Sequence, residues 1–365
     1  MFTQKIYSVS FAMLAVTLML SACSDGGTGS EQAGQDIESV TSSPTNVAYI
    51  SNEEAGITVI DLNTMAVVNQ FLAGERPRGL AITGDGKYLL AANGKTNDLS
   101  AIDTLTGETV HRIELGPNPE FMQILGDTAY VTYEPGGRRT EALEDRDFEN
   151  EPPAEIAVID LNTWTMTQSI PSGLETEGLE FSSDGAYIIT TNEGDETVSV
   201  YDRLSGNEVK TISTREHGKR PRGIKRTPDG MGYVVTAETS SDLIVLGSDF
   251  NVIKTVKTKT GPNGVAYDPT GQYLLVAAAR DGVLQVFDAK SLDLLKEVPI
   301  GKRCWHFTYT PDGSKIIVAC GRSHDLHVID ASDFTSVTTL PDMALPWGIV
   351  TYPPSRGSLD EPRAN

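Results

Sequence analysis

The sequence predicts an all-β fold, a seven-bladed β-propeller with four-stranded blades, on three observations. A short apolar strand ending in a turn residue recurs seven times: Ile57-Thr-Val-Ile-Asp61, Leu99-Ser-Ala-Ile-Asp103, Ile156-Ala-Val-Ile-Asp160, Val198-Ser-Val-Tyr-Asp202, Leu243-Ile-Val-Leu-Gly247, Leu284-Gln-Val-Phe-Asp288 and Leu326-His-Val-Ile-Asp330. Successive copies end 42, 57, 42, 45, 41 and 42 residues apart, a period that suits one propeller blade. Apolar residues fall in short β-branched runs between Gly and Asp turns, whereas a helical solenoid of similar period would space them by about 3.6.

Composition agrees. Among 365 residues, 34 Gly and 19 Pro imply many turns, and three Cys exclude a disulfide-dense mini-scaffold. A hydrophobic content of 39% is enough for a core. Fifty acidic against 29 basic residues give a net charge of −21. That balance argues against a nucleic-acid partner, because phosphates need neutralising Lys and Arg.

In chain order, residues 1–22 read as a lipoprotein signal peptide. The apolar run Val9 to Leu20 is too short to span a bilayer as a helix, and it ends in Leu20-Ser21-Ala22-Cys23. These four residues resemble a bacterial lipobox, which implies lipid attachment at Cys23 and, with Ser24 next, sorting to the outer membrane. Residues 23–44 are polar and Gly-rich, the composition of a flexible tether. The propeller is expected over 45–353, and residues 354–365 are read as a disordered tail.

Each blade divides alike. In the second, 77–83 is an apolar inner strand, Gly84-Asp-Gly-Lys87 a hairpin turn, 88–93 a second strand, 99–103 a third and 109–114 a more polar fourth. Inner strands are expected to begin near Pro77, Pro119, Thr176, Pro221, Pro262, Cys304 and Pro346. The domain opens on a second-type strand, Val47 to Ser51, and ends on an inner strand, Pro346 to Tyr352. One blade therefore takes strands from both termini, which closes the ring and removes open sheet edges.

The strands Tyr88-Leu-Leu-Ala-Ala-Asn93 and Tyr187-Ile-Ile-Thr-Thr-Asn192 resemble the signature of the YVTN β-propeller repeat family. Arg220-Pro-Arg-Gly223, Gly261-Pro-Asn-Gly264, Arg303-Cys-Trp-His306 and Pro346-Trp-Gly348 narrow the resemblance to propellers associated with catabolism dependent on pyrroloquinoline quinone (PQQ). That resemblance implies a periplasmic accessory protein, monomeric, beside a quinoprotein dehydrogenase, a c-type cytochrome or a transporter. The acidic insertion and Cys304 depart from the pattern.

The starts of the inner strands converge on one channel mouth. The aligned residues there are Arg78, Glu120, Glu177, Arg222, Asn263, Trp305 and Trp347, with His306 adjacent and Arg76, Arg220 and Arg303 further out. Trp faces offer stacking and cation–π surface, and Arg offers a fork for carboxylates. The set suggests a planar polycarboxylate ligand, either PQQ or a porphyrin such as haem, with Glu120 and Glu177 making the opposite side acidic. The bland reading is a solvated rim with Trp347 in the core.

No nucleophile elbow, phosphate loop, zinc spacing or haem-attachment motif is present. The sequence therefore names no catalytic residue and no metal ligand, and the main reading is a lipid-anchored binding or scaffold protein of a quinone-linked oxidation or transport system. His306 keeps an alternative open, a haem-d1-related propeller or a propeller lactonase. The insertion Glu134 to Pro153 shares the mouth's rim and reads as a disordered loop or as a docking arm for a basic partner. Cys304 and Cys320 flank one hairpin. A turn at Pro311 to Ser314 places Cys304 opposite Gly321, and a one-residue bulge would bring the two Cys together as a disulfide. Two separate thiols, or metal binding with His306 or His324, are the other readings.

Overall fold

The computed structural model describes residues 45–135 and 152–355. The signal peptide, Cys23, the tether, most of the acidic insertion and residues 356–365 lie outside them. The described strands form seven four-stranded antiparallel sheets, each in plain meander order. In chain order we number the blades 1 to 7. Blade 2 comprises Pro77–Ile82, Tyr88–Asn93, Asp98–Asp103 and Thr109–Glu114, within a residue of the expected divisions. Blade 1 pairs the C-terminal Pro346–Tyr352 with Val47–Asn52, so the termini do share one blade. The only helix among the described residues is a short 3-10 turn, Gly321–Ser323.

Side-chain chemistry explains why the repeat has the residues it has. In every blade but the fifth, where Gly247 stands, an Asp closes the third strand and accepts backbone N–H bonds from the turn that follows; Asp103 takes those of Leu105 and Thr106 at 2.9 and 3.0 Å. This Asx turn starts the outer strand. At the end of the second strand Asn93 donates to Asp98 and Ser100, and Asn192 to Thr197 and Ser199. The Asn that ends these second strands is thus a staple between strands two and three. Second and third strands are buried along nearly their whole length, and the outer strands alternate with solvent.

Two features bring the inner strands to the axis. Six blades carry a β-bulge at or facing the entry of the inner strand, for example between Pro221 and Ile224, and a bulge re-aims a side chain. Next, five of seven inner strands hold Gly at one aligned position. A Cβ on Gly178, Gly223, Gly264, Gly348 or Gly79 would lie 2.3 to 2.7 Å from a backbone oxygen of the neighbouring blade's inner strand. Blade 3 departs from the expectation: its inner strand runs Met122–Leu125 and not from Pro119. Phe121 replaces the Gly there, although Glu120 N–H still donates to the Thr132 carbonyl. The tail also needs correction. Ser355 is buried and its hydroxyl lies 2.7 Å from that of Thr308, so the packed chain extends past residue 353.

Gly223→Ala should destabilise the protein by about 1–3 kcal/mol through overpacking against the Asn263 carbonyl. Gly84→Ala, where nothing lies within 4 Å, should cost far less, and urea denaturation of both variants checks the contrast.

Candidate functional site at the channel mouth

A residue leading into each inner strand adopts a left-handed conformation: Arg76, Asn118, Glu175, Arg220, Gly261, Arg303 and Leu345, with φ from 52 to 70°, Asn118 standing four residues ahead of the shortened blade 3 strand and the others directly before theirs. Only one is Gly, and each of the others bears a cost of roughly 1–2 kcal/mol. Five of them aim a polar side chain into the same ring of charges, which is what offsets that cost.

The ring is a chain of ion pairs. Arg76 donates to Glu53 at 3.0 Å and to Asn118 at 2.6 Å. Asn118 in turn donates to Glu120 and Glu134. Arg78 pairs with Glu120 and, at 3.4 Å, with Glu53. Arg222 reaches Glu177, Glu193 and Glu238 at 3.1, 2.8 and 3.2 Å. Arg220 pairs with Glu175 and Glu193, while Arg303 and Arg280 both hold Glu238, at 2.8 and 3.1 Å.

Beneath the ring the channel is filled by aromatic rings. The two inner strands without the aligned Gly contribute Phe121 and His306, which stack across the channel at 6.0 Å and 16°. His306 lies 4.1 Å from Trp347, and the Arg78 guanidinium sits over Trp347 at 4.4 Å. Glu177, Arg222, Asn263, Trp305, His306 and Trp347 line a cavity of about 20 Å³, enough for a single water. Trp305, partly exposed, lies against Gly321, where any Cβ would strike its ring. A larger cleft of about 450 Å³ with Asp85, Tyr88, Asp127 and Trp164 opens at the hairpin-turn end of the blades, away from these residues.

The structure thus gathers all the residues singled out at the inner-strand starts, and it changes how they can act. Glu120 and Glu177 do not make an acidic side, because each is paired with Arg. Arg78, Arg220 and Arg222 are not free forks; carboxylates already occupy them. Trp347 is 2% exposed and offers no open face. Two polar atoms there, Trp347 Nε1 and Asn263 Oδ1, have no hydrogen-bond partner. Sequence reasoning missed Glu53, Glu193 and Glu238. They follow the second strand directly, as does Glu134, so aligning that position would have found them.

Burial, aided by Arg222 and Arg78, pushes His306 down to about 3, so it is a neutral imidazole at ordinary pH. It makes no hydrogen bond to a described residue. Burial also opposes charge on Arg222, but Glu177, Glu193 and Glu238 outweigh it and raise its pKa. On Glu238 burial is likewise outweighed, here by Arg222, Arg303 and Arg280, which hold its carboxyl down to about 2. Burial, with Glu177 and Glu238 nearby, raises Glu193 to about 8, while Arg222 and Arg220 on its oxygens favour the carboxylate.

Cys304 and Cys320 are opposite each other and joined in a disulfide. The bulge that brings them into register is the one found at the inner-strand entry of the other blades. Of the remaining His, His111 stacks on Trp164 at 4.4 Å and His324 Nδ1 lies 3.1 Å from the Met343 carbonyl, both structural placements.

Fold and site define a seven-bladed β-propeller with an ion-paired channel mouth, and known proteins fit that class. The WD domain, G-beta repeat family matches residues 250–288, about one blade. Dihydro-heme d1 dehydrogenase of Pseudomonas aeruginosa is 24% identical over 300 residues, which cover 70% of this chain and 61% of that protein. A solved structure of dihydro-heme d1 dehydrogenase NirN in complex with DHE superposes with a TM-score of 0.63 at 14% identity, covering 85% of this chain and 76% of the other. The periplasmic gluconolactonase PpgL of Pseudomonas aeruginosa gives 0.67 at 16% identity, covering 83% and 98%. The structural likenesses establish the propeller fold.

Glu134 gives a pH test of the ring. Burial, with Glu177 nearby, raises its carboxyl to about 7 from 4.5. The folded state then binds a proton that the unfolded state releases, so this group lowers stability as pH rises from 4.5 to 7. Glu134→Gln should be near neutral at pH 4 and stabilising by up to about 3 kcal/mol at pH 8. Denaturation at the two pH values checks the sign.

Proposed function

We propose that this chain is an exported, lipid-anchored binding protein of the haem-d1-dehydrogenase-like kind, whose channel mouth takes a tetrapyrrole. The observation that carries the reading is His306: a neutral imidazole without a hydrogen bond, packed against Trp347 and Phe121, in a chain similar over 300 residues to a dihydro-heme d1 dehydrogenase. A neutral imidazole nitrogen is the donor that haem iron takes. The donor chemistry fits. The space is the constraint, since about 20 Å³ admits no macrocycle unless lining side chains such as Trp305 and Arg222 turn aside. Arg303 and Arg280, the more exposed guanidiniums of the ring, are the cations left nearest solvent.

PQQ rests on the sequence resemblance alone. Its carboxylates, like those of a porphyrin, meet Arg76, Arg78, Arg220 and Arg222 already committed to Glu, but it brings no iron for His306 to ligate. A lactonase-type enzyme at the same mouth meets the same limit of space, and the periplasmic gluconolactonase shares the fold at only 16% identity. A c-type cytochrome or quinoprotein dehydrogenase remains the kind of partner that a tetrapyrrole-binding accessory protein at the outer membrane would serve.

Titration with ferric haem should give a saturable Soret shift and quench Trp fluorescence. His306→Ala should abolish the shift, and PQQ should compete poorly. A flat haem titration, or one that His306→Ala leaves unchanged, overturns the reading. For the anchor, Cys23→Ser should accumulate precursor or release soluble protein, and normal membrane retention of that variant would refute it.

A further inference from the structure

Blade 7 lacks the Asn staple that ties second and third strands in blades 1, 2 and 4. The aligned positions are Asn93, Asp98 and Ser100 in blade 2 and Asn192, Thr197 and Ser199 in blade 4, all hydrogen-bonded together. Asn52 likewise donates to Thr58 in blade 1. In blade 7 the same register places Cys320 opposite Asp325, with His327 two residues along on the same face of the sheet. A hydrogen-bonding set has been replaced by the residue types that ligate transition metals.

The geometry follows the substitution. The Cys320 thiol sulfur, an Asp325 oxygen and a His327 ring nitrogen lie within 4.8 Å of one another. His327 Nε2 is buried and has no hydrogen-bond partner; its nearest charge is Asp325 Oδ2 at 3.5 Å. Cys304 Sγ is bonded to Cys320 Sγ, so a second sulfur borders this group without belonging to it. Around a tetrahedral Zn²⁺ with bonds of about 2.0–2.3 Å, donor atoms stand roughly 3.3–3.8 Å apart. Three donors are therefore grouped about one point, and the Cys304 sulfur becomes the fourth by turning toward them once the sulfur–sulfur bond opens.

We infer that Cys304, Cys320, Asp325 and His327 form a redox-gated site for a borderline-soft divalent metal of the zinc class. While the disulfide is intact, neither sulfur is a thiolate and the site is shut. A dithiol reductant transfers two electrons and two protons to the disulfide and is itself oxidised to a disulfide. The metal then displaces both thiol protons to solvent and binds two thiolates, the Asp325 carboxylate and neutral His327. Cys304 also begins the strand that presents Trp305 and His306, so metal occupancy and disulfide hold the same strand entry in two different ways.

Cobalt(II) serves as the probe, on the purified protein carrying Cys23→Ser so that no other thiol contributes. After reduction by a dithiol and its removal, one equivalent of cobalt should give thiolate-to-metal charge transfer and intense tetrahedral visible bands, and zinc should displace it. The oxidised protein should give neither. His327→Ala and Asp325→Ala should each weaken binding at least about tenfold. Cys304→Ser, which cannot form the disulfide, should bind without reductant and with weaker charge transfer. Circular dichroism monitors folding throughout. No cobalt spectrum in the folded reduced protein, loss of the fold on reduction, equal binding by the oxidised protein, or unchanged affinity in His327→Ala each overturns the inference.

Discussion

The close approach of the inner strands is the constraint on which the rest of the molecule depends. Where an aligned Gly faces a neighbouring backbone oxygen, the two strands come nearer than any Cβ would permit. That approach narrows the channel until side chains from opposite blades touch. It brings the left-handed residues before each strand into one circle, so that their strain, borne by the six that are not Gly, is offset by a shared set of contacts. Without it Arg222 could not reach carboxylates from two other strands of the mouth and its own blade.

The ring that results is nearly self-sufficient. Buried ion pairs contribute little net stability over apolar packing, yet removal of one partner costs about 3–5 kcal/mol because the other charge is left alone. Such a ring favours specificity of geometry over strength. It also restricts ligands. A group binding at this mouth must either bring its own charge balance or use atoms that the ring leaves unsatisfied. His306, Trp347 Nε1 and Asn263 Oδ1 are those atoms, and all three border the same small cavity. For this reason a neutral donor interaction explains the site better than recognition of a polyanion by arginine forks.

The architecture was legible because periodicity is a backbone property. The strand repeat, the Asx-turn Asp and the Pro-Asp-Gly hairpins each follow from local geometry, and the shared closing blade followed from which strand type stood at each end. Even the Cys304–Cys320 register could be argued from turn residues plus one bulge. The site was legible only in part. Positions at the inner-strand starts were identified, but their partners were not, because pairing across the axis joins residues such as Arg303 and Glu238 from blades two apart. The meaning of Trp347 was hidden for the same reason: strand position says that it points inward, not that Arg78 covers one side and His306 the other. Phe121 escaped notice because it looks like ordinary core, and only its alignment with five inner-strand glycines and His306 marks it as a plug.

Blade 7 gathers several departures from the repeat. The aligned Gly becomes His306, the residue before it is Trp305, and Cys320, with His327 behind it, stands where blades 1, 2 and 4 have the staple Asn. These substitutions share one hairpin and its neighbouring strand. His306 removes the close backbone contact that five inner strands make, and Cys320 removes the staple. Stability alone gives no reason for the changes to coincide. A common reason exists if the entry of the Cys304–Tyr309 strand is where the propeller meets its ligand. The disulfide then fixes the backbone that carries Trp305 and His306, and Gly321 leaves the space in which Trp305 lies. The physical asymmetry of the ring therefore points to blade 7 as the functional side of the channel mouth, with Phe121 the one contribution from across the axis.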